Sequence, residues 1–312
     1  MVAAVEAGVT LALTGSTGFV GRAVLDAALR ERLSVRALAR RVPDADALEG
    51  VAFVRGDLAD RTALAQLTHG AGAMIHVAGL TRTLDNHDFE TVNVLGTQNV
   101  MEAARAAGIR RFILVSSLAA REPQLSAYGA SKARAEALVQ SSGFDWTIVR
   151  PPAVYGPRDA EMFELFHSAA RFGVVPLPPE GRSSLIHVDD LAHLLLVCAS
   201  GLAQGEVLEP DDGKVGGYSH ADLASLIGRA VGRDRVFAPH LPATVLKLAA
   251  KVDRAVRRGS AKLTPDRARY MCHPDWVVRA SHRPVAALWQ PRIAAPEGLA
   301  RTAAWYRREG WL

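Results

Sequence analysis

The chain has 312 residues, of which 49% are hydrophobic and 22% charged, with a net charge of +5. That balance excludes an intrinsically disordered chain and suffices for one large domain with an elaborated second region. The most apolar run, 191–199, is broken by His193 and falls far short of the ~20 residues of a membrane span, while two cysteines make no disulfide framework.

The elements follow in chain order. A short apolar run, Val9 to Leu13, predicts a strand over 9–14. Next come Thr14-Gly15-Ser16-Thr17-Gly18-Phe19-Val20-Gly21 and an apolar-periodic helix over 19–32. Glycines at this spacing make a tight turn, let backbone approach a pyrophosphate, and let the helix pack close to the sheet. The helix start offers free N–H groups to phosphate. Further strands are expected near 34–39, 51–55, 72–77, 111–116 and 146–150, with helices near 60–68, 88–107 and 127–142. Strand and helix in alternation predict an α/β fold: a Rossmann-type doubly wound parallel sheet, its ligand across the carboxyl ends of the strands. Beyond Pro157 a helix over 159–172 leads into a Pro/Gly-rich loop, 173–182, and then a strand end and helix over 186–200. The expected division is a dinucleotide-binding domain, 1–157 with 184–203 returning to it, and a smaller substrate-binding region, 158–183 with 204–312.

Glycine turn, Ser116-Ser117, then Tyr128-Gly129-Ala130-Ser131-Lys132, in that order, form a strong joint signal. With them stand Gly56-Asp57-Leu58, His76-Val77-Ala78-Gly79, Asn93-Val94-Leu95-Gly96-Thr97, Arg150-Pro151-Pro152-Ala153-Val154-Tyr155-Gly156-Pro157 and Ile186-His187-Val188-Asp189-Asp190. On these residues the chain resembles the extended short-chain dehydrogenase/reductases, the NAD-dependent epimerase/dehydratase group. The resemblance implies a nicotinamide cofactor held by Gly15, Thr17, Gly18, Phe19, Val20, Asp57, Leu58, Val77, Ala78, Gly79, Lys132, Pro151 and Val154. For Asp57 the alternative is a loop carboxylate capping the helix near Asp60. The resemblance also implies that Ser117, Tyr128 and Lys132 are catalytic. Tyr128 and Lys132 are four apart on a helix and share a face. An ammonium beside a phenol lowers its pKa from the usual ~10.

Where NAD enzymes of this fold carry an acid for the ribose 2′-hydroxyl, this chain has Ala39 followed by Arg40 and Arg41. Arginine can grip a 2′-phosphate with paired hydrogen bonds, so NADP(H) is the preferred cofactor and NAD(H) the alternative. No metal is expected, because the histidines lack ligand spacing.

Three departures point away from sugar nucleotides. Ser117 is followed by Leu118-Ala119 rather than the acid pair of the dehydratases; Ala153 stands where the epimerases often have Asn; and Ser117 and Tyr128 are only eleven apart. The pattern resembles instead the branch handling steroid, flavonoid and lipid-like ketones. The expected function is an NADPH-dependent carbonyl reductase of a small hydrophobic substrate, a 3-oxo sphingolipid-type compound being one example. Leu118, Ala119 and Ala153 are expected pocket walls. The alternatives are a sugar-nucleotide epimerase retaining NAD, or a non-catalytic nucleotide-binding assembly protein.

Residues 205–312 hold 18 Lys/Arg against 11 Asp/Glu, so the basic character is C-terminal. Without a recognition motif this argues against nucleic acid as a partner. The segment 242–258 reads as a basic amphipathic helix, with Val245, Leu248, Ala249, Val252 and Val256 on one side and Lys247, Lys251, Arg254 and Arg258 on the other. It either packs on the domain by its apolar stripe or associates reversibly with an anionic membrane surface. The N-terminus has no basic region followed by an apolar stretch, so a cytoplasmic protein, peripheral at the membrane in the second case, is expected. Nothing decides the oligomeric state.

Overall fold

A computed structural model describes residues 9–42, 49–257 and 263–312. As far as Val149 the elements are β1 (Thr10–Thr14), α1 (Phe19–Arg30), β2 (Val35–Ala39), β3 (Val51–Arg55), α2 (Arg61–Thr68), β4 (Ala71–His76), α3 (His87–Phe89), α4 (Gly96–Ala106), β5 (Arg111–Val115), α5 (Ala127–Gln140) and β6 (Asp145–Val149). They continue as β7 (Ala153–Tyr155), α6 (Phe163–Phe172), β8 (Arg182–Ser183), β9 (Leu185–His187), α7 (Val188–Ala199), β10 (Glu206–Leu208), β11 (Tyr218–Ser219), α8 (His220–Ala230), α9 (Ala243–Arg257), α10 (Pro265–Met271), β12 (Asp275–Trp276) and α11 (Ala295–Arg308).

The main sheet has seven strands in the order β10-β6-β5-β4-β1-β2-β3, and every adjacent pair is parallel. This is the doubly wound sheet expected from the alternation. Its order reverses between β1 and β4, the switch point where such sheets bind ligands beyond their carboxyl ends. The sheet core holds Leu64, Leu67, Met74, Val100, Phe112 and Ile148, all fully buried. The buried guanidinium of Arg111 on β5 is held by the carbonyls of Cys198, Asp145 and Leu202 and the hydroxyl of Thr147, at 2.5–2.7 Å. Four acceptors compensate a charge that burial alone would penalise, and they tie the chain after α7 to the sheet.

Two differences from the sequence reading have local causes. The seventh strand, β10, has three residues, too few for periodicity to reveal; it is made by pairing Glu206–Leu208 with Thr147–Val149. The expected helix 88–107 contains a π-helical stretch, Glu90–Leu95, between α3 and α4. Such bulges cluster at functional sites, and this one carries the buried Asn93.

The chain divides into two compact units. The first runs through Arg150 and includes Leu191–Leu208 and Pro284–Trp289; the second holds Pro151–Asp190, Glu209–Arg283 and Gln290–Leu312. The second has its own core, with Tyr155, Phe166, Leu185, Ile227, Leu299 and Tyr306 fully buried. Tyr306 donates its hydroxyl to the Asp159 carbonyl (2.6 Å), and Asp190 accepts the amides of Arg292 and Ile293 (3.0 and 2.9 Å). Helix α9 does not pack by the apolar stripe expected of it: Leu246 and Ala250 are buried, whereas Val245, Leu248 and Val252 are exposed. Arg258 and the side chains of Arg254 and Val256 lie outside the described residues.

Candidate active site

The glycine loop is locked by backbone contacts that no side chain could share. Gly15 has φ +73°, and a methyl there would lie 2.7 Å from the Ala78 amide nitrogen. The loop after β1 and the turn after β4 therefore touch, which places Val77 and Ala78 beside Gly15. A methyl at Gly21 would lie 2.0 Å from the Gly15 carbonyl oxygen, so α1 rides directly on the loop. Ser16 is buried and donates to the Leu38 carbonyl (2.9 Å), tying the loop to β2. Thr17 and Gly18 are exposed, Phe19 and Val20 half-buried. Gly18 caps α1 without a side-chain hydrogen bond, and the first turn has no acid. The free N–H groups there, the positive end of the helix dipole and the exposed edge at Thr17 and Gly18 together fit a pyrophosphate.

The remaining predicted cofactor residues are placed as follows. Arg40 and Arg41 directly follow β2 and are exposed; among the described residues neither guanidinium has a hydrogen-bond or ion-pair partner. Asp57 is exposed after β3, and its Oδ1 accepts the amides of Ala59 and Asp60 (2.8 and 3.2 Å). It therefore shapes the turn, while Asp60 itself caps α2 through the Ala63 amide (3.0 Å). Leu58 covers Gly96 at the start of α4, where a methyl would meet its Cδ1 at 2.8 Å. Pro151 and Val154 belong to the second unit, Val154 on β7 opposite Ile186 of β9.

Helix α5 presents the Tyr-x-x-x-Lys pair. Its N-cap is Ser126, whose Oγ accepts the Gly129 amide (2.9 Å). A methyl at Gly129 would lie 2.6 Å from the Ala119 carbonyl oxygen, so α5 bears on the turn that Ser117 opens. Tyr128 is buried, its ring 5.8 Å from that of Phe89. Lys132 is buried and donates from Nζ to the Val115 carbonyl (2.7 Å) at the end of β5. Burial pulls its pKa down to about 8, Glu136 opposing, so the amine is still mostly charged at neutral pH. The Ser116 hydroxyl goes to Glu136 (2.5 Å), a carboxylate also paired with Arg150. Ser117 is half-buried, and its Oγ accepts the Ala119 amide (3.2 Å). Leu118 and Ala119, expected as pocket walls, are buried in the turn; Ala153 is exposed on β7.

Asn93 belongs to the family pattern, yet the sequence alone assigns it no role. Its side chain binds Leu80 in both directions (2.7 and 3.0 Å) and donates to the Ser131 Oγ (2.9 Å). A methyl at Gly79 would lie 3.0 Å from the Asn93 Oδ1 and 3.7 Å from the Lys132 Nζ. Asn93, Gly79 and Lys132 therefore share one small space. The Asn93-Val94-Leu95-Gly96-Thr97 motif marks this segment, but its spacing does not show that Asn93 reaches Leu80 and Ser131.

Beneath them runs a directional hydrogen-bond chain. The Ala78 amide donates to Thr14 Oγ1 (3.2 Å), which lies 2.7 Å from His76 Nδ1; His76 Nε2 lies 3.0 Å from Thr97 Oγ1, and Thr97 donates to the Asn93 carbonyl (2.6 Å). Since Thr97 gives its proton to Asn93, it accepts from Nε2–H, and Nδ1 accepts from Thr14. A neutral imidazole satisfies every partner. Burial, and then the Lys132 charge, push the His76 pKa down from 6.5 to about 3. The unfolded chain thus binds a proton that the folded chain refuses, and stability present above pH 6.5 should drain away as pH falls toward 3. In His76→Gln, which can donate and accept but does not titrate, the fall of the urea midpoint between neutral and mildly acidic pH should be shallower. Parallel curves for the two proteins would remove this assignment.

A surface depression between α2 and α4, lined by Arg61, Thr68, Asn99 and Glu102, holds none of these groups.

A family described as NAD(P)H-binding matches residues 15–199. The chain is 38% identical to the ceramide reductase of Caulobacter vibrioides, covering 99% of this chain and 98% of that one. It is 29% identical to the UDP-glucose 4-epimerase of Vibrio cholerae, over 61% of this chain and 66% of the other. The crystal structure of gox2253 superposes with a TM-score of 0.76 at 26% identity, covering 97% of this chain and 99% of that one. With a cradle for a dinucleotide and a Tyr-x-x-x-Lys helix on such a sheet, the chain belongs to the extended short-chain dehydrogenase/reductase family and is an NAD(P)-dependent oxidoreductase.

Proposed function

We propose that the protein is an NADPH-dependent carbonyl reductase of a lipid-like ketone, with a 3-oxo sphingolipid-type compound as its substrate. The observation that carries this reading is the end-to-end likeness to the ceramide reductase, at 38% identity. The missing acid pair after Ser117 and the alanine at position 153 agree with it.

In this reading Tyr128 gives its phenolic proton to the carbonyl oxygen of the substrate. A nicotinamide dinucleotide held on the glycine loop at Gly15 and Gly18 would supply the hydride for the carbonyl carbon. Ser117 donates a hydrogen bond to the same oxygen and holds it in reach of Tyr128. The Lys132 ammonium stabilises the phenolate left behind, and the phenol is restored by a proton from solvent. The Val115 carbonyl holds the Lys132 ammonium in place.

The test is turnover of an N-acylated 3-oxo long-chain base, followed by loss of NADPH absorbance and by mass spectrometry of the alcohol formed. UDP-galactose serves as the competing substrate. Reduction of the lipid with no epimerisation supports the proposal; epimerisation of the sugar nucleotide overturns it.

Cofactor preference is assigned to Arg40 and Arg41. NADPH should bind more tightly than NADH, and Arg40→Ala should narrow the gap by roughly ten- to hundredfold, the worth of a charge-assisted hydrogen bond. Titration of both nucleotides against both proteins measures it. Equal affinities in the wild type would remove the basis for the preference.

A further inference from the structure

We infer that the second unit carries a docking surface for an anionic lipid membrane, formed by the exposed side of α9 and the Phe172–Phe237 corner. The inference goes beyond the reductase reading. It rests on residues that take no part in proton transfer or nucleotide binding.

Helix α9 is sided in an unusual way. Its packed face is Leu246 and Ala250, both buried. Leu248 is 62% exposed, and Val245 and Val252 are also exposed. With 3.6 residues per turn, these three form one stripe, and Lys247 and Lys251 form a second stripe beside it. Both lysines are exposed. A helix that only covered its unit would turn its large apolar residues inward; this one uses a leucine and an alanine for that and leaves a leucine and two valines outside.

Two aromatic rings are exposed on the paired segments that lead to α9. Phe172, at the end of α6, is 68% exposed, and Phe237, shortly before α9, is 69% exposed. The Phe237 amide donates to the Gly173 carbonyl (2.8 Å), and the Val175 amide to the Phe237 carbonyl (2.9 Å), so the two phenylalanines belong to one corner. The pairing continues to Leu177 and Leu241, two residues before α9 begins. Arg233 closes the end of α6 by donating to the Ala170 carbonyl (2.7 Å). Arg171, Arg233 and Arg235 are exposed around the corner. Asp234 is the only acid between Arg229 and Val252.

Exposed apolar side chains bordered by cations are what the boundary between headgroups and acyl chains accepts. The apolar groups enter the acyl region, and lysine and arginine stay at the phosphates. A neutral protein partner would need the apolar stripe but gain nothing from the five cations. Charge complementarity therefore selects the anionic lipid surface.

The test is co-sedimentation of the full chain with vesicles of phosphatidylcholine alone, or of phosphatidylcholine and phosphatidylglycerol in equal parts, at low and high salt. The protein should pellet with the anionic vesicles and be released by salt, since exposed charges are screened within ~8 Å at physiological ionic strength. The double variant Lys247→Gln/Lys251→Gln should lower partitioning roughly thirtyfold, taking the usual worth of a lysine near an anionic surface. Phe237→Ser/Leu248→Ser should lose binding even at low salt. All the substituted side chains are exposed, so unchanged thermal midpoints show that the fold is intact. Equal pelleting with both vesicle types, or variants that bind like the wild type, overturns the inference. So does concentration-dependent dimerisation abolished by Phe237→Ser/Leu248→Ser, which would make the patch a contact between copies. Vesicle binding is read without substrate or nucleotide, so failure here and failure of the reductase reading are separable.

Discussion

Tyr128→Phe is expected to abolish turnover while leaving NADPH affinity within about twofold of the wild type. The change removes the hydroxyl and keeps the ring. The buried ring against Phe89, 5.8 Å away, is retained, and the N-cap of α5 lies in Ser126 and Gly129. A positioned acid contributes ~10²–10⁴-fold, so kcat should fall by that factor. Lys132→Ala should behave differently. In the proposed mechanism it removes the ammonium that would stabilise the phenolate and, as the family resemblance implies, the amine that would reach the nicotinamide ribose, so both turnover and nucleotide affinity should drop. Pre-steady-state reduction of the ketone and fluorescence titration of NADPH separate the two. A Phe variant with near-normal turnover would show that Tyr128 is not the acid.

The contrast between these variants follows from what each side chain holds, and the sequence already displayed most of it. The strand–turn–helix of the glycine loop is a local pattern, so its position, its helix and its strand were all readable. The same is true of Tyr128 and Lys132, whose helical spacing alone puts them on one face. Contacts between distant segments were not readable. Asn93 lies in a π-helical stretch and donates to Ser131, 38 residues away. His76 looked like one residue of a turn motif, yet its environment is set by Thr14 and Thr97 on either side. Short strands such as β10 exist only because a neighbour pairs with them. Helix α9 failed in the opposite way. Its amphipathic pattern was plain, but which stripe packs depends on the partner surface, and there a narrow Leu246–Ala250 face was chosen over the wider apolar one.

Gly21→Ala is expected to weaken nucleotide binding and destabilise the protein, although helix propensity predicts the reverse. Within a helix, alanine is favoured over glycine by about 1 kcal/mol. Position 21 lies in the first turn of α1, where that gain would apply. The added methyl, however, would sit 2.0 Å from the Gly15 carbonyl oxygen and 2.6 Å from its carbonyl carbon. Those are backbone atoms, so no rotamer change can relieve the clash; either α1 lifts or the loop moves. Overpacking of this kind typically costs about 1–3 kcal/mol, which outweighs the propensity gain. The loop cannot move freely either, because Gly15 is held against Ala78 on its other side and Ser16 is tied to Leu38. Any shift therefore displaces the N–H groups offered to the pyrophosphate. Loss of one hydrogen bond to a charged group corresponds to roughly a ten- to hundredfold fall in affinity. Urea unfolding without nucleotide isolates the packing cost, and NADPH titration reads the displaced amides. If Gly21→Ala were more stable than the wild type and bound NADPH equally well, the loop would not be locked between α1 and Ala78, and the cradle described for the dinucleotide would have to be reassigned.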